Sequence, residues 1–148
     1  MQYIKIRFCS ELNCIDSEFE RSIEDVFRSP SPIFKLSERV WLPQMDIYET
    51  MEEIVINAEI AGVKKEDLEV EITSKAVRIF GFRSANTGRE RITYRLAEIQ
   101  FGKFDRILYL PAKIDPGKVS SFYENGFLQI RLSKLPPGRT HKIAVEDR

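Results

Sequence analysis

The sequence predicts an all-β fold, an immunoglobulin-like antiparallel β-sandwich, on two observations. From residue 41 to about residue 135, apolar and polar residues alternate with a period of two, so each strand has one apolar and one polar face. The strands are short, and turn residues separate them at regular spacing. Such strands build antiparallel sheets that pack over a shared core. The strand-helix alternation of a parallel sheet does not occur.

The alternation begins with Ile54, Ile56, Ala58 and Ile60, which share one face of a strand. The strongest hairpin signal is Asn125-Gly126, because both residues tolerate a positive φ. Weaker turn signals are Ala61-Gly62, Asn86-Thr87-Gly88 and Asp115-Pro116-Gly117. The further strands carry Leu68, Val70 and Ile72; Val77, Ile79 and Gly81; Phe104, Leu108 and Leu110; Val119, Ser121 and Tyr123; and Leu128, Ile130 and Leu132.

The pattern divides the chain into an N-terminal arm (residues 1–40), a sandwich domain (residues 41–135) and a C-terminal tail (residues 136–148). In the arm, Asp16 or Ser17 caps a predicted helix. The prolines at positions 30 and 32 end this helix, since proline disfavours helical geometry in the residue before it. An arm this apolar is predicted to dock on another surface. Its helical face carries Phe19, Ile23, Val26 and Phe27, and Phe34 follows the helix.

The composition argues against several kinds of partner. Lys+Arg and Asp+Glu number 23 each, so no net charge attracts nucleic acid or an anionic membrane. No apolar stretch approaches the roughly 20 residues that span a bilayer, and the N-terminus lacks the apolar segment of a secretion signal. Cys9 and Cys14 both lie in the arm without further ligands at zinc-type spacing, and are predicted to be free thiols. These features predict a cytoplasmic protein without a bound metal.

The sequence predicts neither a catalytic site nor a cofactor site. Its 7 glycines lie too far apart for a phosphate-binding loop, which excludes the Rossmann and Walker motifs. The single histidine, His141, lies in the tail, where no scaffold holds it against a nucleophile. Glu69 and Glu71 fall on the polar face of a strand and are predicted to be solvated. The chain is therefore expected to be a binding protein and not an enzyme.

The tail contains two isolated apolar residues, Ile143 and Val145, among polar neighbours. One interpretation is a disordered tail with two incidental apolar side chains. The other is a short strand that adds to a sheet edge, with both side chains on one side and each filling a pocket. Burying both would contribute roughly 3–6 kcal/mol before association costs, so one tail binds weakly and many tails hold by avidity.

Six segments in order resemble the small heat-shock proteins with their α-crystallin domain, over about residues 41–146. The segment around Asn125-Gly126 is similar to the family's Asn-Gly-x-Leu hairpin, and Ile143-Ala144-Val145 to its C-terminal Ile-x-Ile/Val motif. Ala61 departs from the family's proline. Further departures are Ser121, Tyr123 and Ala97-Glu98-Ile99. The other similar segments are residues 43–50, residues 58–68, Gly81-Phe82-Arg83, and residues 101–106 with Leu110-Pro111.

The resemblance implies an ATP-independent chaperone, a holdase, that forms dynamic oligomers and binds unfolding proteins. Dimers would form when residues 92–96 pair with residues 44–48 of a partner, and the tail of a neighbouring dimer would dock into a groove. The implied dimer residues are Ile92, Tyr94, Leu96, Arg106, Met45 and Ile47; the groove residues are Leu68, Val70, Ile72, Val119, Ser121 and Tyr123, which accept Ile143 and Val145; the client-contacting residues are Phe19, Ile23, Phe27 and Phe34.

Two alternatives remain at the level of sequence. A co-chaperone module of the CS type shares a similar sandwich and binds one folded partner, but the tail motif and the long segment between Gly81 and Phe101 argue against it. A structural assembly protein without holdase activity would use the same surfaces. The sequence does not separate this second alternative from a chaperone.

Overall fold

The computed structural model describes residues 4–8, 41–85, 88, 91–136 and 138. Within these ranges the chain forms eight strands and one single-turn 3-10 helix, Lys65–Asp67, which leads into the fourth strand. The strands are β1 (Lys5–Phe8), β2 (Met45–Glu49), β3 (Glu53–Glu59), β4 (Leu68–Ile72), β5 (Ala76–Arg83), β6 (Gly102–Tyr109), β7 (Ile114–Glu124) and β8 (Phe127–Lys134).

The strands form two four-stranded sheets. The first sheet has the order β1-β4-β5-β6, and the second has the order β2-β3-β8-β7. Every neighbouring pair is antiparallel except β1 and β4, which run parallel. The predicted all-β sandwich is therefore confirmed. The parallel strand β1 is an addition, contributed by residues that the sequence analysis assigned to the arm.

The core lies between the two sheets, where the alternating apolar residues point inward. Ile54, Ile56, Ala58 and Ile60 are fully buried, as the period-two pattern predicted. Trp41 and Phe104 meet edge to face with ring centroids 5.1 Å apart. Each aliphatic side chain buried in this way stabilises the fold by about 1.5–3 kcal/mol. The same core includes Leu68, Val70, Ile72, Val77, Ile79, Ile114, Leu128, Ile130 and Leu132.

The hairpin predicted at Asn125-Gly126 joins β7 to β8. Both residues have positive φ, 52° and 83°, which suits the twist of a two-residue turn. Glycine is required at position 126 for a second reason, because a Cβ there would lie 2.7 Å from the Cβ of Ala61. The carbonyl oxygen of Gly126 accepts a hydrogen bond from the Ile60 N–H at 2.8 Å. The turn therefore packs directly on the segment that leaves β3.

Candidate oligomerisation and peptide-binding surfaces

The first candidate surface is the β4–β7 groove, which the sequence predicts between β4 of the first sheet and β7 of the second. Leu68, Val70 and Ile72 of β4, the predicted groove residues of this strand, are almost fully buried in the core. The β7 residues of the groove are half-buried and register with core positions of β8. These are Val119, Ser121 and Tyr123, which lie opposite Leu132, Ile130 and Leu128.

Tyr123 joins β7 to the segment that lies between β3 and β4. Its hydroxyl donates to the carbonyl oxygens of Val63, at 2.7 Å, and Ile60, at 3.1 Å. Both acceptors lie in the segment between β3 and β4, so this contact joins β7 to the chain entering β4. Burial raises the pKa of the Tyr123 phenol, because the phenolate is poorly solvated there. Tyrosine at this position, a departure from the family's pattern, thus has a structural role.

Tyr123→Phe is expected to lower the free energy of unfolding by about 1 kcal/mol, since it removes a hydrogen bond to the Val63 carbonyl. The Tyr123 phenol of the wild-type protein has a higher pKa in the folded than in the unfolded state. Its contribution to the free energy of unfolding is therefore complete below about pH 10 and is lost as the pH rises further. Urea unfolding at about pH 8 and about pH 11 should therefore show a smaller difference between the two proteins at the higher pH. Ser120→Ala, which removes an exposed hydroxyl from the same strand, is the control.

Strand β1 covers the outer edge of β4. Lys5 lies opposite Glu69, Ile6 opposite Val70 and Arg7 opposite Glu71 in a parallel register. Ile4 and Ile6 are half-buried and pack against the core cluster, beside the groove. This strand was not predicted from the sequence, although Ile4-Lys5-Ile6 has the same apolar-x-apolar spacing as the tail motif.

A row of ion pairs crosses the outer face of the first sheet and includes β1. Glu71 is only 4% exposed, which contradicts the prediction that it is solvated. Its carboxylate lies 3.8 Å from Arg7 Nη1 on one side and 3.3 Å from Arg78 Nη1 on the other. Arg78 in turn binds Asp105 with both its Nε and its Nη2, and the hydrogen bonds to Asp105 raise its pKa. Two cations therefore compensate the charge of the buried carboxylate.

The second candidate surface consists of the open edge of β2 and the loop of residues 91–101. In the sheet, β2 pairs only with β3 among the described residues, and Ile47 and Tyr48 are exposed. Met45 is half-buried against the core. All of residues 91–100 are exposed and form no strand within this chain. Ile92, Tyr94, Leu96 and Ile99 present apolar side chains there.

Arg106 lies close to the entry of β2. The side chain is half-buried, and its Nη1 donates to the carbonyl oxygen of Pro43 at 2.8 Å. The structure therefore places Arg106 next to the predicted edge strand. It does not bring Ile92, Tyr94 and Leu96 into a strand beside β2, and their pairing with a second chain stays a prediction.

Arg83, at the end of β5, anchors the loop of residues 91–101. Its Nε and Nη2 donate to the carbonyl oxygen of Gln100, and its Nη1 donates to that of Ala61 at 3.1 Å. The guanidinium carbon lies 3.4 Å from the centre of the Trp41 ring, and burial lowers the pKa of this side chain. One side chain thus joins the loop, the turn after β3 and the first residue of the sandwich domain.

Comparison with known families decides what this sandwich is. Residues 46–146 match the model of the Hsp20/alpha crystallin family. The chain belongs to this family. The match covers the strands from β2 to β8 and extends into the tail that carries Ile143-Ala144-Val145. The resemblance and the fold expected from it are therefore confirmed.

Several relatives of this Hsp20/alpha crystallin protein have sequences of comparable length. It is 33% identical over 108 residues to heat shock protein 16 of Schizosaccharomyces pombe, covering 70% of this chain and 75% of that protein. It is 27% identical over 134 residues to small heat shock protein C2 of Rickettsia felis, covering 90% and 86%. These relatives bear the names of heat-shock proteins and not of enzymes.

Solved structures of the Hsp20/alpha crystallin family have the same fold. Heat shock protein 16.0 from Schizosaccharomyces pombe superposes with a TM-score of 0.61 at 32% identity, covering 72% of this chain and 99% of that one. A small heat-shock protein from Xylella fastidiosa superposes with a TM-score of 0.60 at 25% identity, covering 72% and 98%. The latter structure is described as revealing a distinct high order structure.

Several sequence-based predictions for this Hsp20/alpha crystallin protein fall outside the described residues. These concern the client-contacting residues Phe19, Ile23, Phe27 and Phe34, the helix of the arm, the anchor residues Ile143 and Val145, and Cys9, Cys14 and His141. In the described ranges, no group of three or more His, Cys, Asp or Glu side chains is placed to hold a metal ion. Nor do those ranges contain a helix with the length and apolar character to cross a bilayer.

Proposed function

We propose that this protein is an ATP-independent holdase that binds unfolding proteins in the cytoplasm and keeps them from aggregating. The observation that carries the proposal is the match of residues 46–146 to the Hsp20/alpha crystallin family. The relatives with the names of heat-shock proteins support a role under stress. Binding without catalysis agrees with a sequence that has no nucleotide-binding loop.

The proposed client surface is the apolar face of the arm. Proteins that unfold on heating expose irregular apolar patches, and a binder of such patches needs adaptable apolar side chains more than one shaped pocket. In the arm, Phe19, Ile23, Phe27 and Phe34 are the proposed client contacts.

The proposed assembly has two kinds of contact between chains. In the dimer, residues 92–96 of one chain pair with the open edge of β2 in the other, with Ile92, Tyr94 and Leu96 lying against Met45 and Ile47, and Arg106 at the same interface. The exposure of residues 91–100 and the open β2 edge support this contact. Between dimers, Ile143 and Val145 of one tail enter the β4–β7 groove of a neighbour.

A heat-aggregation assay tests the holdase function. Citrate synthase is heated with an equimolar amount of this protein in the absence of ATP, and its turbidity is followed. Suppression of the turbidity is the expected result, with the same mass of serum albumin as the control. Unchanged turbidity would contradict the proposal. If large oligomers nevertheless formed, that result would favour a structural assembly protein without holdase activity.

A further inference from the structure

Two phenylalanines break the polar pattern on the outer face of the second sheet. In a sheet whose inner face packs on the core, outward positions are expected to be polar. Phe122 of β7 is nevertheless 60% exposed, and Phe127 of β8 is 56% exposed. Phe122 lies opposite Gln129, two residues after Phe127 on the same strand, so the two rings are diagonal neighbours on one face. This surface is named the Phe122–Phe127 patch.

Carboxylates flank the patch on both sides. Phe127 lies opposite Glu59 of β3 on one side and opposite Glu124 of β7 on the other. Both glutamates are exposed, and neither forms an ion pair with a described residue, although Glu59 interacts electrostatically with Arg83. Across the sheet, an aromatic ring therefore lies between two carboxylates that contact no cation within the described residues.

The first sheet contains the same row of side chains, and there an arginine occupies it. Phe80 lies opposite Glu69 on one side and opposite Asp105 on the other. Arg78, two residues before Phe80 on the same strand, has its guanidinium carbon 4.5 Å from the centre of the Phe80 ring. Its Nε donates to Asp105 Oδ1 at 2.9 Å. A carboxylate–phenylalanine–carboxylate row of this fold thus binds a guanidinium group by stacking and a charge-assisted hydrogen bond.

The two sheets differ in the residue next to the row. In the second sheet, the place that Arg78 has beside its phenylalanine is taken by Gln129, two residues from Phe127. The Gln129 amide donates to Asn57 Oδ1 at 3.0 Å. An amide carries no charge, so it leaves both flanking carboxylates without a compensating cation. Phe122, opposite Gln129, adds a second exposed ring.

We propose that the Phe122–Phe127 patch binds an arginine side chain of an unfolding client. The guanidinium stacks on the Phe127 ring and donates to the flanking glutamates, and an apolar neighbour of that arginine packs on Phe122. The proposal rests on the proposed holdase function and adds a class of client segment, in which arginine lies beside apolar residues. The contact uses side chains on a sheet face, so it is separate from both proposed contacts between chains.

The charges of this chain favour a client as the source of the arginine. Residues 9–40 of the arm are apolar, but they carry 7 acidic and 4 basic residues, so the two glutamates of the patch repel them. In a second copy, Arg83 and Arg106 are held by hydrogen bonds within their own chain. The loop that carries Arg91 is assigned to the β2 edge in the proposed dimer, and β3 separates that edge from β8.

A fluorescein-labelled peptide, Gly-Leu-Arg-Leu-Arg-Leu-Gly, tests the binding to the full chain by fluorescence polarisation. Its matched control has citrulline in place of each arginine, which retains the shape of the side chain and removes its charge. The arginine peptide should bind at least about tenfold tighter than the citrulline peptide. Glu59→Gln with Glu124→Gln should remove most of this difference. Glu52→Gln with Glu98→Gln, at exposed glutamates outside the patch, should retain it.

A substitution at Gln129 fills the patch from within the chain. Gln129→Arg places an arginine two residues from Phe127, the spacing that Arg78 has from Phe80, and should reduce binding of the arginine peptide to that of the citrulline peptide. Gln129→Ala removes the same hydrogen bond to Asn57 without supplying a cation, and should retain the preference for the arginine peptide. Urea unfolding verifies that both variants are folded. Equal binding of the arginine peptide by the two variants would overturn the proposal.

An unfolded protein identifies the source of the arginine. Reduced and carboxymethylated lysozyme, an unfolded chain rich in arginine, should displace the labelled peptide, whereas native lysozyme should not. If the unfolded chain displaces nothing, the client is overturned as the occupant. A smaller assembly of the Gln129→Arg protein in light scattering would then identify a second copy in its place.

The outcomes separate this proposal from the proposed function. Suppression of citrate synthase turbidity without any preference for the arginine peptide would overturn the role of the patch and leave the holdase function intact. Absence of suppression by the wild-type protein would overturn the holdase function, and with it the client as the occupant. With both intact, Gln129→Arg should suppress the turbidity less well than Gln129→Ala.

Discussion

Replacing Ile143 and Val145 together with alanine is expected to reduce the assembly of this protein to dimers. Burial of these two side chains supplies roughly 3–6 kcal/mol per tail, and alanine removes most of that contribution. Because large assemblies of this kind are held by many weak contacts, the loss is multiplied over the tails of each oligomer. The proposed dimer interface of residues 92–96 and β2 does not involve the tail, so the dimer should persist.

Size-exclusion chromatography with multi-angle light scattering measures this change directly. Val145→Ile is the matched control, since it retains a β-branched aliphatic side chain and should preserve the large assembly. An unchanged large assembly in the double-alanine protein would contradict the role of the tail. The double-alanine protein should also bind a peptide of residues 139–148 added in solution, because its β4–β7 groove is intact.

The second large effect is expected on the free energy of unfolding when Arg83 is replaced. Arg83→Ala removes the hydrogen bonds to the Gln100 and Ala61 carbonyl oxygens and the stacking on Trp41. The free energy of unfolding should fall by about 2–4 kcal/mol, from the loss of charge-assisted hydrogen bonds and a cation–π contact. Urea unfolding followed by the fluorescence of Trp41, the single tryptophan of the chain, measures the loss.

Arg83→Ala should also weaken the dimer. The loop that carries Ile92, Tyr94 and Leu96 loses its anchor at Gln100, so forming the interface requires more ordering of the loop. In the Ile143→Ala/Val145→Ala background, sedimentation velocity should show a dimer dissociation constant at least about tenfold higher. Arg91→Ala, at an exposed arginine of the same loop, is the control for stability. An unchanged dissociation constant of the dimer would contradict a contribution of the Arg83–Gln100 contact to dimer formation.

The local pattern was sufficient for the framework of the fold. Ile54, Ile56 and Ala58 are buried because alternate residues of a strand point to the same side, which here faces the core. This period can be recognised in the sequence without any knowledge of the partner strands. The turn at Asn125-Gly126 was equally readable, because few residue pairs accept positive φ at two successive positions. The family match over residues 46–146 agrees with these predictions.

The polar face of the first sheet was not predictable in the same way. Glu71 was assigned to a solvated face from its position in the strand, and it is buried because Arg7 and Arg78 lie on either side of it. Arg7 is distant from Glu71 in the sequence, and no local period links the two residues. Their proximity exists only because β1 pairs with β4.

Composition, period and turn chemistry predicted a β-sandwich binding protein with two apolar residues in its tail as an anchor, because these properties depend on residues that are neighbours along the chain. The tertiary structure decided what covers the edge on which that anchor is proposed to dock. Ile4-Lys5-Ile6 and Ile143-Ala144-Val145 have the same spacing, and only the pairing of β1 with β4 shows the first of them in contact with that edge. An edge strand accepts any extended segment with suitable side chains, so the sequence alone did not decide between them.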